Sequence, residues 1–213
     1  MTTVNKVEQI ENYLEELYPN PKCELEYSKD YELLLATMLS AQTTDKRVNQ
    51  VTRVLFRKYP SLQALKDAPR EDIEEIIKPI GTYQRKSLYV KEITTIIVDQ
   101  YGGKTPSDRK ILESLPGVGH KTVNVFLSNI YDVPAIAVDT HVERVSKRLG
   151  LAKKDDSVLA VEKKLEKYFD SSVWGRRHHQ LVLFGRYHCK SMKPECDSCK
   201  LQEICKYYKT LKK

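Results

Sequence analysis

Three groups of residues in this chain could do chemistry. Lys121 follows two closely spaced glycines in LPGVGHKT, residues 115–122. Asp139 stands in AVDTH, residues 137–141. Cys189, Cys196, Cys199 and Cys205 crowd the C-terminal part in the spacing C-x6-C-x2-C-x5-C, while Cys23 stands alone. A lysine amine is a nucleophile only when neutral, and an ordinary lysine, with a pKa of about 10.4, is almost wholly protonated at neutral pH. The first turn of a helix, where the macrodipole opposes positive charge, and partial burial both favour the neutral amine. Asp139 can cap a helix. Four thiolates in one short loop can hold zinc or a [4Fe–4S] cluster, and the spacing alone does not decide. Zinc sites more often pair two C-x2-C knuckles, and here there is one. In a reducing compartment such a group reads as a metal site rather than as disulfides.

The glycines raise two readings. A phosphate-binding P-loop needs G-x-x-x-x-G-K-[ST] after a strand. Here His120 separates Gly119 from Lys121, and a helix precedes the glycines, so that reading fails. The other is helix, tight turn, helix. Pro116 ends the first helix, and Gly117 and Gly119 permit positive φ and leave room for an approaching ligand. The unpaired amides at the start of the second helix attract an anion, most simply a phosphate. An ordinary helix–helix turn uses glycine too.

The elements that must carry these residues read as helices throughout. Val7, Ile10, Leu14 and Leu17 recur at helical spacing before Pro19. Residues 31–39 are almost wholly apolar and suit a buried helix. Thr44 can cap the next helix, shorter ones follow Ser61 and Pro69, and residues 83–101 form a long one closed by Gly102 and Gly103. Asp139 can cap a helix that ends at Gly150, and residues 157–169 and 174–187 supply two more. Residues 206–213, KYYKTLKK, read as a frayed tail. Almost nothing shows the period-2 alternation of a strand, so the fold class is all-α. The 213 residues suffice for one sizeable domain or two small ones. No apolar run is long enough to span a bilayer, and the N-terminal stretch does not resemble a signal peptide, so a cytoplasmic protein is expected, nucleoid-associated if prokaryotic. A formal net charge of +7 permits a polyanionic partner.

Taken in order, LSAQTTD (39–45), IGTY (80–83), LPGVGHKT, AVDTH and the cysteine group resemble the helix-hairpin-helix DNA glycosylase superfamily, and most closely its iron–sulfur branch, the endonuclease III family. The resemblance spans most of the chain. It implies two helical domains with a DNA-binding cleft between them, residues 23–133 forming the bundle with the hairpin, and residues 1–22 plus 134–213 the cluster domain. It implies that Leu115, Gly117, Val118 and Gly119 hold DNA phosphate through backbone amides. Lys121 would be the nucleophile, attacking a sugar C1′ and forming a Schiff base. Asp139 would assist proton transfer and stabilise positive charge on the sugar. It also implies a bifunctional glycosylase and AP lyase of base excision repair. That enzyme would remove oxidised pyrimidines from double-stranded DNA, cut 3′ to the abasic site by β-elimination, and carry a [4Fe–4S] cluster on the four cysteines. A monomer that needs no membrane is expected.

An enzyme that attacks C1′ of a stacked nucleotide must extrude it, and something must fill the gap. The resemblance assigns this to Gln42 and to a second wedge at the position of Thr82, where the family typically has leucine. Threonine is shorter and polar, which puts the apolar wedge in doubt. Asp45 is expected in the substrate pocket and His141 at the sugar–phosphate. Lys190 and Lys193, in a loop pinned at both ends, are candidate phosphate contacts or a solvated basic loop. Two rival readings stand: a relative specific for another lesion or a mismatched base, and a non-catalytic DNA-binding module.

Overall fold

The structure is a computed structural model that describes residues 3–212. Twelve α-helices and no strand occur among the described residues. The chain divides into two compact units, Cys23–Tyr131, and Met1–Lys22 with Asp132–Lys213.

The first unit is built around α2 (Asp30–Leu39), in which every residue from Tyr31 to Leu39 is buried. A helix apolar on all sides must lie inside a bundle. It packs against α3 (Asp45–Lys58), α6 (Tyr83–Tyr101) and α8 (His120–Tyr131), and α4 (Leu62–Asp67) and α5 (Arg70–Ile77) lie on α6. α7 (Arg109–Ser114) packs on α8 and precedes it by a five-residue turn. Local chemistry sets the boundaries. Thr44 accepts the Arg47 amide at the start of α3, Ser61 accepts that of Ala64 for α4, and Gly102 closes α6 at φ +59.

The second unit contains α1 (Thr3–Leu17), α9 (Thr140–Leu149), α10 (Val158–Tyr168), α11 (Trp174–Leu183) and α12 (Lys206–Leu211). Ile10, Leu14, Val142, Val145, Leu165, Leu181 and Phe184 form its core. α1 is clamped to α11. Arg176 Nε donates to Glu15 at 2.7 Å, Arg177 Nε to Glu11 at 3.1 Å, and Gln180 Nε2 to the Tyr18 carbonyl at 3.0 Å. Arg177 is buried, and a buried cation is tolerable only with such partners.

Two elements depart from the sequence reading. The helix expected to run to Tyr187 is α-helical only to Leu183, and Phe184–His188 is a turn of π-helix. Its widened hydrogen bond runs from the Cys189 amide to the Phe184 carbonyl at 2.7 Å. The tail expected to fray forms α12, with Cys205 Sγ accepting the Tyr208 amide at 3.5 Å.

Candidate active site and cysteine loop

The hairpin turn is shaped by two buried hooks and one glycine. Leu115 and Val118 are buried in the bundle core. Their amides are already used, Leu115 N–H donating to Leu112 and Val118 N–H to Leu115, each at 3.1 Å. Gly117 sits at φ +71, and a Cβ there would lie 2.4 Å from the Tyr89 ring. Gly119 does not adopt positive φ, contrary to expectation, and nothing lies within 4 Å of where its Cβ would be. The amides of Gly117, Gly119 and Lys121 donate to no protein acceptor among the described residues. Of the four turn residues read as phosphate contacts, the two glycines therefore have free amides, and Leu115 and Val118 anchor the turn. Lys121 stands in the first turn of α8 and is exposed, so the expected partial burial is absent and only a bound partner could supply it.

Gln42 and Thr82 are both exposed, and both lie at φ +55, a conformation rare for any residue but glycine and least expected for a β-branched one. Thr82 Oγ1 donates to the Gly81 carbonyl at 2.7 Å, which satisfies its hydroxyl locally and leaves the methyl as its apolar end. Asp45 is the half-buried first residue of α3. The N-terminal half of α6 touches all these loops. Thr82 is its N-cap, Lys86 Nζ donates to the Ala41 carbonyl at 2.7 Å, and Tyr89 packs on Gly117. Arg47 Nη1 adds a bond to the Pro79 carbonyl at 3.1 Å. Sequence reasoning missed Lys86, Arg47 and Tyr89, because a lysine or arginine on a helix reads as solvated. Lys86 is 4% exposed, and burial pushes its ammonium toward lower pKa.

In the other unit, α9 plays the same organising part. Asp139 is its N-cap, with Oδ1 accepting the amides of His141 at 2.9 Å and Val142 at 2.8 Å. His141 Nδ1 lies 3.2 Å from Arg144 Nη2, and burial pushes the imidazole toward its neutral form. Arg144 donates to the Gly185 carbonyl at 2.6 Å, in the π turn. A Cβ on Gly185 would come within 2.9 Å of His141 Cβ, so glycine is what lets the π turn approach α9. One turn along, Arg148 Nη1 donates to the Lys190 carbonyl at 2.6 Å and Nη2 to Ser191 at 3.0 Å, and the guanidinium lies 4.3 Å from the Tyr207 ring. These two arginines fix the start of the cysteine loop, and no motif marked them. Lys190 is paired with Glu195 at 2.6 Å, whereas Lys193 is exposed and carries φ +50.

Cys189, Cys196, Cys199 and Cys205 line one pocket, together with Leu149, Phe184 and Tyr207 among others. Among the described residues no three His, Cys, Asp or Glu side chains converge closely enough to hold a single ion. The four cysteines share one pocket. Burial pushes the Cys199 thiol up to about 11 and raises that of Cys196, and the neighbouring cysteines add to both. A cationic metal group is what would relieve such crowding of thiolates.

A helical bundle carrying a glycine hairpin, followed by a cysteine-ringed loop, defines a class. Residues 35–171 match the HhH-GPD superfamily of base excision DNA repair proteins. Endonuclease III of Bacillus subtilis strain 168 is 45% identical over 206 residues, covering 97% of this chain and 94% of that protein. Endonuclease III of Escherichia coli K12 is 40% identical, covering 96% and 97%. A solved structure described as a trapped endonuclease III–DNA covalent intermediate, an estranged-adenine complex, superposes with a TM-score of 0.95 at 44% identity over all of both chains. The chain belongs to the endonuclease III family of HhH-GPD base excision DNA repair proteins.

Proposed function

We propose that this chain excises oxidised pyrimidines from duplex DNA and then cleaves the strand at the resulting abasic site, with Lys121 as nucleophile and Asp139 as the assisting carboxylate. Family membership makes it a DNA glycosylase and AP lyase. The exposed lysine in the first turn of α8, beside the free turn amides, is the observation that carries its chemistry. The two glycine amides and the positive end of α8 take a backbone phosphate, which brings the sugar to Lys121. The neutral amine attacks C1′, and the C1′–N bond breaks, with its electron pair leaving on the base, which takes up a proton. The attacking nitrogen then loses a proton and the C1′–O4′ bond opens, O4′ taking up a proton, to give the iminium. This acidifies the C2′ hydrogen, and loss of that proton breaks the C3′–O bond and expels the 3′ phosphate with its electron pair. Asp139 stabilises the positive charge on the sugar and helps move these protons. The relative trapped as a covalent intermediate with DNA supports a covalent path.

We assign the cysteines to a [4Fe–4S] cluster rather than zinc, since all four line one pocket and their spacing holds only one C-x2-C knuckle. When bound, it cross-links the loop and supplies no step of the chemistry above. No helix of the described residues is long and apolar enough to cross a membrane. We place the protein in the cytoplasm, acting as a monomer on DNA.

Borohydride trapping tests the proposal. A covalent adduct with a damaged duplex, lost in Lys121→Ala, is expected. An intact adduct in that variant would assign the nucleophile elsewhere, and no adduct with any lesion or abasic duplex would leave a DNA-binding module. A lesion panel scored separately for base release and strand scission sets the substrate range.

A further inference from the structure

A side chain that enters a base stack meets resistance, so the loop behind it must hold its shape. Gln42 and Thr82 stand on two separate loops, each in a left-handed conformation that costs roughly 1 kcal/mol or more. Such strain persists only where the surroundings over-determine it. One residue reaches both loops. The Lys86 amide donates to the Thr82 carbonyl at 3.0 Å. Its ammonium donates to the Ala41 carbonyl at 2.7 Å and lies 3.3 Å from Thr43 Oγ1, so it brackets Gln42 on both sides. The residue is 4% exposed. An ammonium in that setting is expensive to bury, and a methionine of similar length would fill the same space without the expense. The loop 41–43 otherwise has local bonds among the described residues, Ala41 N–H to Met38, Thr43 N–H to Ser40 and a long one from Thr43 Oγ1 to the Ala41 carbonyl at 3.4 Å. Arg47 straps the neighbouring segment to Pro79, but from an exposed position.

We infer that Lys86 is a positioning residue, which fixes the spacing and angle of the two groups that fill the gap left by an extruded nucleotide. The inference rests on the reading of Gln42 and Thr82 as those groups. Lys86 does not touch DNA in this scheme. It acts by holding the Ala41 and Thr82 carbonyls at a set distance, so that the strained residues cannot relax away from the duplex.

The full-length protein carrying Lys86→Met, Lys86→Gln or Lys86→Arg tests this. 2-Aminopurine placed beside a damaged base reports extrusion, and single-turnover base release reports its consequence. Lys86→Met is expected to melt no lower than the parent and to bind undamaged duplex equally well. It should lose roughly ten- to a hundred-fold in both extrusion and base release, the scale of a small misplacement. The loss should shrink when the target nucleotide is already unstacked opposite a gap. Lys86→Gln or Lys86→Arg, which keep a donor for Ala41, should recover part of it. If Lys86→Met extrudes normally while Gln42→Ala does not, Lys86 has no positioning role. If every Lys86 variant melts lower and loses activity equally on stacked and unstacked targets, its part is structural and the inference falls. If Gln42→Ala and Thr82→Gly both extrude normally, the gap-filling reading itself fails, whatever the Lys86 variants do.

Discussion

The Asp139 carboxylate receives the Val142 amide at 2.8 Å, so the residue assigned to proton transfer also starts α9. The two duties separate on substitution. Asparagine caps a helix about as well as aspartate, whereas alanine costs about 1 kcal/mol. Asp139→Asn is therefore expected to melt like the parent and bind abasic duplex normally, yet to lose most of its single-turnover base release. Asp139→Ala should lose the same activity and melt about 3 °C lower. Equal losses of affinity and turnover in Asp139→Asn would remove its chemical role.

Gly117 and Gly119 make opposite demands. An alanine at Gly117 meets both the left-handed backbone and the Tyr89 ring at 2.4 Å, and should destabilise the first unit by more than about 1 kcal/mol. Gly119→Ala meets nothing within 4 Å and should leave the melting temperature unchanged. Its methyl would stand at the free amides, so weaker binding of abasic duplex is the expected result. Thermal melts paired with binding titrations separate the two.

The loop lysines divide as well. Lys190 is held by Glu195 at 2.6 Å, and Lys193 by no side chain among the described residues. Lys193→Ala should flatten the logarithmic salt dependence of duplex binding by about one unit if it meets one phosphate. Adding Lys190→Ala should change the slope little further. A slope unchanged in Lys193→Ala would dismiss this contact.

Glu15 links stability to pH. The guanidinium of Arg176, with help from Arg177, holds its carboxyl at about 2, against an ordinary value of 4.5. A depressed carboxylate contributes stability that is present above pH 4.5 and lost as pH falls through about 2. Glu15→Gln should thus be less stable than the parent at neutral pH, with the gap closing between these limits. Glu15 is partly exposed, so the gap should be modest and narrow in high salt. Denaturant melts at a series of pH values provide the comparison.

Most helix limits were legible because single residues mark them: Thr44, Ser61 and Asp139 as caps, Gly102 and Gly150 as left-handed ends. The hairpin was legible for the same reason. What stayed hidden depends on partners distant in the chain. The π turn at Phe184–His188 is held by Arg144 reaching Gly185 from α9, which no periodicity signals. Lys86 is buried because Ala41, 45 residues earlier, offers a carbonyl. The left-handed backbones of Gln42, Thr82 and Lys193 fall on residue types that seldom take them. The free amides of the turn belong to Gly117 and Gly119 rather than to the whole motif, a distinction made by the two hydrogen bonds within it. Lys193 rather than Lys190 is left available, because Glu195 lies five residues on.

The clamp between α1 and α11 joins stretches more than 150 residues apart, through Glu15 and Arg176. During synthesis, residues 23–131 have all their core partners once Tyr131 has emerged from the ribosome, and can collapse as a unit. The first helix must wait, its apolar face unmatched, until the last quarter of the polypeptide arrives. The packing around α9, which Asp139 caps, is therefore completed late, and a ribosome that stalls before residue 174 leaves a hairpin without a finished second unit.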